Sequence, residues 1–254
     1  MLVIQSVNTV PQVINVPIAF VVGASPSINI HGVSNAASFM TAFAPGMLMT
    51  VFGTNLASGT QLASILPLPL TMKGAAATVN GVTAPLFSVT SGQITVQIPY
   101  ETGAGTAVLG INHNGAVASF MFTVSPAAPG IFGTFATPPA LVPFGSGKPG
   151  EVLLAFITGE GDVTPPLGTG QTPASGTAIA DLPVPSLPVI VTVGGIKADV
   201  AFAGIPPGLS GVTQINFTIP ANAPPGPQDV VVTIGGVSSP PVTVNVTMPA
   251  GAGH

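Results

Sequence analysis

The chain has 254 residues, of which 46% are hydrophobic and only 4% are charged, with 3 basic and 7 acidic side chains. This much apolar sequence can build a core, which excludes a disordered tail. So few basic residues cannot neutralise a phosphate backbone, which excludes nucleic-acid binding, and the low charge density disfavours steering of charged substrates.

The first 29 residues form an apolar, uncharged segment outside the internal repeat. Its longest apolar stretch, 13–24, is too short to span a bilayer and includes Asn15 and Pro17. We predict a β-strand extension that either completes a sheet of the first domain or adds to a sheet of a neighbouring copy. The residues predicted for this subunit-linking strand are Ile14, Val16, Ile18, Phe20 and Val22.

Short apolar runs separated by glycine and proline follow, and the clearest of them alternate with period two. In "ITVQIP" (94–99), the isoleucines and the valine are predicted to face a core, whereas Thr95 and Gln97 face outward. The segments "INFTIP" (215–220), "SFMFTV" (119–124) and "VTVNVT" (242–247) follow the same rule. Phenylalanines predicted to fill the interior of the first domain are Phe39, Phe43, Phe52, Phe87, Phe120 and Phe122.

One phrase occurs twice: "GQITVQIP" at 92–99 returns as "TQINFTIP" at 213–220, an offset of 121 residues. The segments around it also correspond, and each copy has the short strands and turns of an antiparallel sandwich. The sequence therefore predicts an all-β fold of two tandem immunoglobulin-like β-sandwich domains with an N-terminal extension strand. The predicted boundaries are 1–29 for the extension, 30–127 for the first sandwich, 128–137 for a Pro/Gly-rich connector, 138–248 for the second sandwich and 249–254 for a C-terminal tail.

An ordered set of motifs covers both copies. These are "GVSNAASF" (32–39), "APGMLMTVFGTNLA" (44–57), "APLFSVTSGQITVQIPYE" (84–101), "APGIF" (128–132), "TGEGDVTPP" (158–166) and "GLSGVTQINFTIP" (208–220). Together they resemble the uncharacterised C-terminal domain family described from Solibacter and its acidobacterial relatives. That resemblance implies a secreted or surface protein built from β-sandwiches, and it supplies no catalytic residue. The usual family layout has a large upstream region, whereas here residues 1–29 precede the match.

The sequence offers no set of catalytic groups. It has 3 histidines and no cysteine, and no serine lies in a nucleophile-elbow motif. We therefore expect a non-enzymatic protein without a cofactor. Because there are few carboxylates to protonate, we also expect little stability to be lost as the pH falls.

The segment "TGEGDV" brings two carboxylates together beside glycines. Glu160 and Asp162, with Asp181 on a separate loop, are the only calcium candidates, although calcium requires six to eight oxygen ligands. The alternative is a solvated loop between sheets, and we expect no metal.

Two N-glycosylation sequons lie in predicted strands, at Asn216 ("NFT") and Asn245 ("NVT"). Both side chains are predicted to face outward, so glycosylation is geometrically allowed. The alternative is a chance occurrence in a threonine-rich β protein.

Two functions stay open from the sequence. The first is an extracellular structural protein, a self-assembling subunit of a surface filament joined head to tail to copies of itself by N-terminal strand donation. The second is a cell-surface adhesion or carbohydrate-binding module, with loops near 57–72 and 162–187 as the binding rim. The absence of tryptophan and the presence of only 1 tyrosine disfavour a conventional sugar-binding face.

Overall fold

The computed structural model describes residues 27–133 and 146–247, together with the backbone of 2–5 and 13–16. Over these ranges the chain is built from β-strands, and its helical elements are two short 3₁₀ turns, Tyr100–Thr102 and Ile179–Asp181. No helix of the described residues has the length and apolar character needed to cross a membrane. The predicted all-β fold class is confirmed.

The N-terminal segment contains a β-hairpin. Strands β1 (Leu2–Gln5) and β2 (Val13–Val16) pair antiparallel, with Ile4 opposite Ile14. Among the described strands, neither β1 nor β2 pairs with a strand of either sandwich. The sequence predicted one extension strand, whereas the structure forms two strands that pair with each other.

The first sandwich has two antiparallel sheets. Its strands are β3 (Asn29–Asn35), β4 (Leu48–Thr54), β5 (Gln61–Leu62), β6 (Thr71–Met72), β7 (Ala75–Val79), β8 (Val82–Ala84), β9 (Leu86–Val89), β10 (Gln93–Gln97), β11 (Gly105–His113) and β12 (Ala116–Val124). One sheet has the order β3-β4-β10-β9-β5, and the other has the order β12-β11-β7-β6, with β8 also paired to β7. A single buried apolar cluster fills the space between them.

The second sandwich repeats this plan with nine strands in one continuous sheet, and two short strands, Val163–Thr164 and Val184–Pro185, pair separately. Its strands are β13 (Gly130–Ile131), β14 (Ser146–Gly147), β15 (Val152–Thr158), β16 (Val163–Thr164), β17 (Val184–Pro185), β18 (Val189–Val193), β19 (Ile196–Gly204), β20 (Thr213–Thr218), β21 (Gly226–Ile234), β22 (Val237–Ser238) and β23 (Val242–Val246). Strand β19 pairs with β18 near its start and with β20 near its end, so it passes from one layer to the other. At the equivalent place in the first sandwich, Pro85 separates β8 from β9, because proline cannot donate to a strand ladder.

The repeated segment, residues 92–99 and 213–220, forms the equivalent central strand in each sandwich. Strand β10 lies between β4 and β9, and β20 lies between β15 and β19. The predicted core positions are confirmed: Ile94, Val96, Ile98, Ile215, Phe217 and Ile219 are fully buried. The hairpin turns correspond as well, since Asn114–Gly115 and Gly235–Gly236 all have the positive φ angles that two-residue hairpins require.

Two boundary predictions are corrected by strand pairing. Gly130–Ile131, placed by sequence in the connector, pairs with β15 and therefore belongs to the second sandwich. Ile28, placed in the extension, is buried in the first core. The remaining connector residues 134–137 and the tail 249–254 lie outside the described residues.

The prediction that Thr95 and Gln97 face solvent is wrong. They do point away from the core of their own sandwich, but Thr95 is 7% exposed and Gln97 is completely buried. The reason is that the second sandwich packs over this end of the sheet. An apolar cluster at the junction contains Leu48 and Phe132, together with Phe156 and Val212.

The predicted phenylalanine core is correct only in part. Phe43 and Phe122 are buried and meet edge to face, with ring centroids 5.2 Å apart. Phe87 instead packs against the junction cluster. Phe39 is 65% exposed, so its prediction as a core residue is wrong.

The side-chain amide of Gln97 joins the two sandwiches. Its Nε2 donates to the main-chain oxygen of Gly46 at 2.8 Å, within the first sandwich. Its Oε1 accepts from the Gly170 N–H at 2.6 Å and from the Ser210 hydroxyl at 3.2 Å, both in the second. All four residues are buried, so water cannot reach these polar groups and they depend on one another for hydrogen bonds.

We predict that Gln97→Ala lowers the free energy of unfolding by about 2–4 kcal/mol, because it leaves the Gly46 carbonyl and the Gly170 N–H buried without partners. Urea unfolding measures this change. The matched control is Gln93→Ala, an exposed glutamine in the same strand, which should cost less than about 0.5 kcal/mol. Equal effects of the two substitutions would contradict the role given to Gln97.

Candidate functional site

The three calcium candidates do not come together. Glu160 is completely buried, whereas Asp162 and Asp181 are exposed. The described residues contain no group of three or more His, Cys, Asp or Glu side chains that could hold a metal ion. The alternative of a solvated loop is also wrong for Glu160, because Gly159 and Gly161 approach the backbone of Ala128 and Pro126 too closely to accept a side chain.

The other predicted residues are only partly placed. Ile14 and Val16 lie in β2, opposite Ile4 and Leu2, whereas Ile18, Phe20 and Val22 lie outside the described residues. Of the sequon residues, Asn245 is exposed. Asn216 is half-buried on a central strand, and its Oδ1 accepts a hydrogen bond from the Gln214 amide at 2.8 Å. Glycosylation therefore stays a prediction, with Asn245 the more accessible position.

The two loops predicted as a binding rim meet in the structure. The Leu68 N–H donates to the Gly170 carbonyl at 2.8 Å, which joins the loop of the first sandwich to that of the second. The contact lies beside the Gln97 amide, which binds the same glycine. Both loops are therefore part of the junction between the sandwiches.

A groove with a volume of about 470 Å³ lies at this junction. We call it the junction groove. Its floor is the outer face of the β3-β4-β10-β9-β5 sheet of the first sandwich, and residues of the second sandwich form its wall. Its lining residues are Ala36, Ala37, Ser38, Phe39, Leu48, Thr50, Phe87, Ser88, Gln93, Thr95, Ile131, Phe132, Gly133, Val212, Pro240, Pro241 and Val242. None of them is charged, so the groove suits a neutral ligand.

A row of hydroxyl groups crosses the floor. Thr95 lies between Thr50 on β4 and Ser88 on β9 in the strand register, and Ser34 on β3 follows Thr50. Directly paired residues project from the same face of a sheet, so these side chains stand side by side. The buried Ser34 hydroxyl has no hydrogen-bond partner among the described residues. The floor therefore offers hydroxyl donors and acceptors beside apolar walls.

Phe39 stands at the rim and is held by Asn35. The Asn35 Oδ1 accepts hydrogen bonds from the N–H groups of Ala37 at 2.8 Å and Ser38 at 3.0 Å, which closes a tight turn. The Asn35 Nδ2 donates to the Ala128 carbonyl at 3.0 Å and so anchors the turn to the segment just before β13. The turn places Phe39 in the left-handed region, at φ 59°, with its ring exposed.

The rigid turn explains why the sequence analysis missed the groove. Alternation and hydrophobicity assigned Phe39 to the core, and they carry no information about a left-handed residue. The segment "SNAAS" did contain a usable signal, since an asparagine side chain can bond to the backbone two residues on and so favours such a turn.

A Ser–His pair was also missed, because its members are distant in sequence. The Ser58 hydroxyl lies 2.8 Å from Nε2 of His113, whose Nδ1 lies 2.6 Å from the main-chain oxygen of Asn55. No carboxylate of the described residues bonds to the ring, and the pair borders neither described cavity. These bonds tie the 55–58 loop to the β11–β12 hairpin.

A second buried polar cluster surrounds Glu160. Burial raises the pKa of Glu160 to about 7, although backbone groups and the nearby hydroxyls of Thr213 and Tyr100 act to lower it. Neither carboxylate oxygen has a hydrogen bond of good geometry within the described residues, and the same holds for the two hydroxyls. Burial, together with the nearby Glu160 and Asp162 charges, raises the pKa of Tyr100 well above its ordinary value. The cluster therefore favours a protonated Glu160.

Comparison with known proteins adds only remote similarities. No protein-family model and no curated protein sequence matches the chain. Among solved structures, the chain is similar to SGBP-B of the Bacteroides ovatus mixed-linkage glucan utilization locus in complex with a mixed-linkage heptasaccharide, with 14% identity, a TM-score of 0.38, and coverage of 89% of this chain and 46% of that one.

Two further structures are similar to the chain at lower TM-scores. SGBP-B from a complex xyloglucan utilization locus in Bacteroides uniformis has 15% identity, a TM-score of 0.27, and coverage of 88% of this chain and 50% of that one. Invasin, a bacterial integrin-binding protein, has 16% identity, a TM-score of 0.22, and coverage of 88% and 40%. The chain thus spans half or less of these proteins, and the similarities concern their β architecture, not their ligands.

We predict that the protein is more stable in mild acid than at neutral pH. The folded state holds the Glu160 proton up to a pH of about 7, whereas the unfolded chain releases it near 4.5. Protonation of Glu160 therefore stabilises the folded state by about 3 kcal/mol below pH 4.5. This stabilisation is lost as the pH rises through about 7.

Urea unfolding across this pH range measures the effect. Glu160→Gln should remove the dependence and raise stability at alkaline pH, whereas Asp199→Asn, which removes an exposed carboxylate, should retain it. If the free energy of unfolding of the unaltered protein did not change over this pH range, the pKa of Glu160 would not be raised by folding.

Proposed function

We propose that this protein is a non-enzymatic extracellular adhesion module that holds a neutral carbohydrate in the junction groove. The observation that carries the proposal is the exposed Phe39 ring, fixed beside a row of hydroxyl groups in an uncharged groove. A sugar has apolar C–H faces and many neutral hydroxyls, so it can stack on the ring while its hydroxyls bond to Ser88 and Gln93, the half-buried and exposed polar side chains of the floor.

The size and rigidity of the groove support this proposal. A volume of about 470 Å³ lies within the usual range for ligand sites. Asn35 and the junction hold the turn before any ligand arrives, so little conformational entropy is lost on binding. Because the described residues contain no group of three His, Cys, Asp or Glu side chains that could hold a metal ion, we expect the proposed binding not to depend on calcium.

The non-enzymatic part of the proposal concerns the Ser58–His113 pair. The pair is exposed, the ring is oriented by a carbonyl, and the groove lies elsewhere. We propose that the pair only holds the 55–58 loop against the β11–β12 hairpin. A bound oligosaccharide should therefore be recovered uncleaved. The extracellular location is supported by the ordered motifs that resemble the Solibacter-type domain family and by a surface with very little charge.

We predict that a panel of neutral oligosaccharides contains a binder, with or without calcium. Phe39→Ala should weaken binding of that oligosaccharide at least about tenfold in titration calorimetry, because the stacking surface is removed. The matched control is Met40→Ala, since Met40 is 54% exposed but lies outside the groove lining. No binder in the panel, or equal losses for both variants, would refute the proposal.

A second candidate function is a self-assembling filament subunit joined by donation of the N-terminal strand. The observation in its favour is that β1 and β2 pair with no other described strand, so neither belongs to a sandwich sheet. A net charge of −4 also gives little repulsion between copies.

We predict that, under this second function, negative-stain electron microscopy shows filaments of the full chain and none after residues 1–26 are removed. This truncation spares Ile28, which is buried in the first core. Filaments that persist without residues 1–26 would exclude strand donation by this segment.

A further inference from the structure

Among the described strands, the outer edge of β12 is long and unpaired. The strand ends its sheet, runs for nine residues, Ala116–Val124, and pairs with β11 along its whole length without a register shift. Its sequence, "AVASFMFTV", contains no charge and no proline. Natural edge strands are normally protected by lysine, proline or a bulge against pairing with another strand.

The hairpin turn determines which backbone groups are free. The two-residue turn Asn114–Gly115 makes His113 and Ala116 the first hydrogen-bonded pair, and every second residue of β12 then bonds to β11. The backbone groups of the residues in between therefore point outward from the sheet. These residues are Val117, Ser119, Met121 and Thr123.

Only the end of this edge is covered in the described structure. Phe43 forms a bridge to Val124, and its carbonyl accepts the Ser125 N–H at 2.8 Å. Along the uncovered part, Val117 is 46% exposed and Met121 is 70% exposed. Two apolar side chains thus flank Ser119 beside a row of free backbone donors and acceptors.

From this edge we infer that β12 pairs antiparallel with β12 of a second copy, about a two-fold axis at Ser119. This register brings outward-pointing groups together and forms about six backbone hydrogen bonds. It places Val117 beside Met121 of the second copy and Ser119 beside Ser119 of the second copy, so apolar meets apolar and hydroxyl meets hydroxyl.

The partner is another copy of this chain because the edge complements itself in both side-chain order and charge. Strands β7, β11 and β12 contain no Asp, Glu, Lys or Arg, so two copies meet without repulsion or buried charge. The junction groove lies on the other sheet of the sandwich. A dimer would therefore carry two accessible grooves, which increases binding to a multivalent surface.

The first experiment is sedimentation velocity on the full chain over a range of concentrations. We expect a monomer–dimer equilibrium whose dissociation constant rises at least about tenfold in Met121→Lys, because two lysines enter the paired edges. The matched control is Val108→Lys: Val108 is 41% exposed and lies directly opposite Met121 in the register, but one strand away from the edge. It should change the dissociation constant less than about threefold.

The second experiment fixes the register. The chain has no cysteine, so Ser119→Cys introduces a single thiol. Opposite residues of a hydrogen-bonded pair lie about 5.5 Å apart at Cα, which a disulfide can span. Mild oxidation should therefore link Ser119→Cys into dimers and should leave Thr106→Cys, an exposed position on β11, monomeric.

Three results would overturn the inference. The first is a full chain that stays monomeric at its highest soluble concentration. The second is equal dimer loss in Met121→Lys and Val108→Lys, or equal cross-linking at the two cysteines. The third is association that disappears without residues 1–26 while Ser119→Cys fails to cross-link, which would make the N-terminal segment the partner strand. Oligosaccharide binding by Met121→Lys is measured separately, so failure of the dimer leaves the proposed carbohydrate site intact.

Discussion

The buried amide of Gln97 is the interaction on which the arrangement of the two sandwiches depends. It satisfies a carbonyl of the first sandwich and an N–H and a hydroxyl of the second, all away from water. Thr158 makes a similar link, since its hydroxyl donates to the Gly211 carbonyl and accepts the Leu48 N–H. Buried polar groups of this kind are costly unless every partner is present, so they define one relative placement of the domains. An apolar contact alone would allow many placements.

That placement creates the junction groove. The outer face of a sheet in an isolated sandwich would be a flat, hydroxyl-rich surface exposed to water. The second sandwich covers one end of this face, buries Thr50 and Thr95, and adds Phe132 and Val212 as a wall. The Asn35 amide bonds to Ala128, just before β13, and so fixes the turn that carries Phe39. The concave shape therefore results from the docking of the two domains.

The low charge of the chain has different effects on the surface and in the interior. On the surface it leaves hydroxyl, amide and apolar groups as the available binding chemistry, both in the groove and along β12. In the interior it leaves Glu160 without a cationic partner, and burial keeps its proton in place up to near-neutral pH. The sequence analysis anticipated tolerance of acid from the small number of carboxylates. The structure adds a carboxyl group whose protonation favours folding.

The sequence by itself determined the fold class, the duplication and the core faces of the repeated strands. Alternation along a strand is a local property, and it identified Ile94, Val96 and Ile98 as core residues. It could not determine what lies against the other face of the same strand, because that depends on a domain more than a hundred residues away. Gln97 was therefore predicted at the surface although it is buried, and Phe39 was predicted in the core although it is exposed. Tertiary structure decided the groove, the buried Glu160 and the free β12 edge, because each depends on which chain segments meet, and a periodic pattern does not record this.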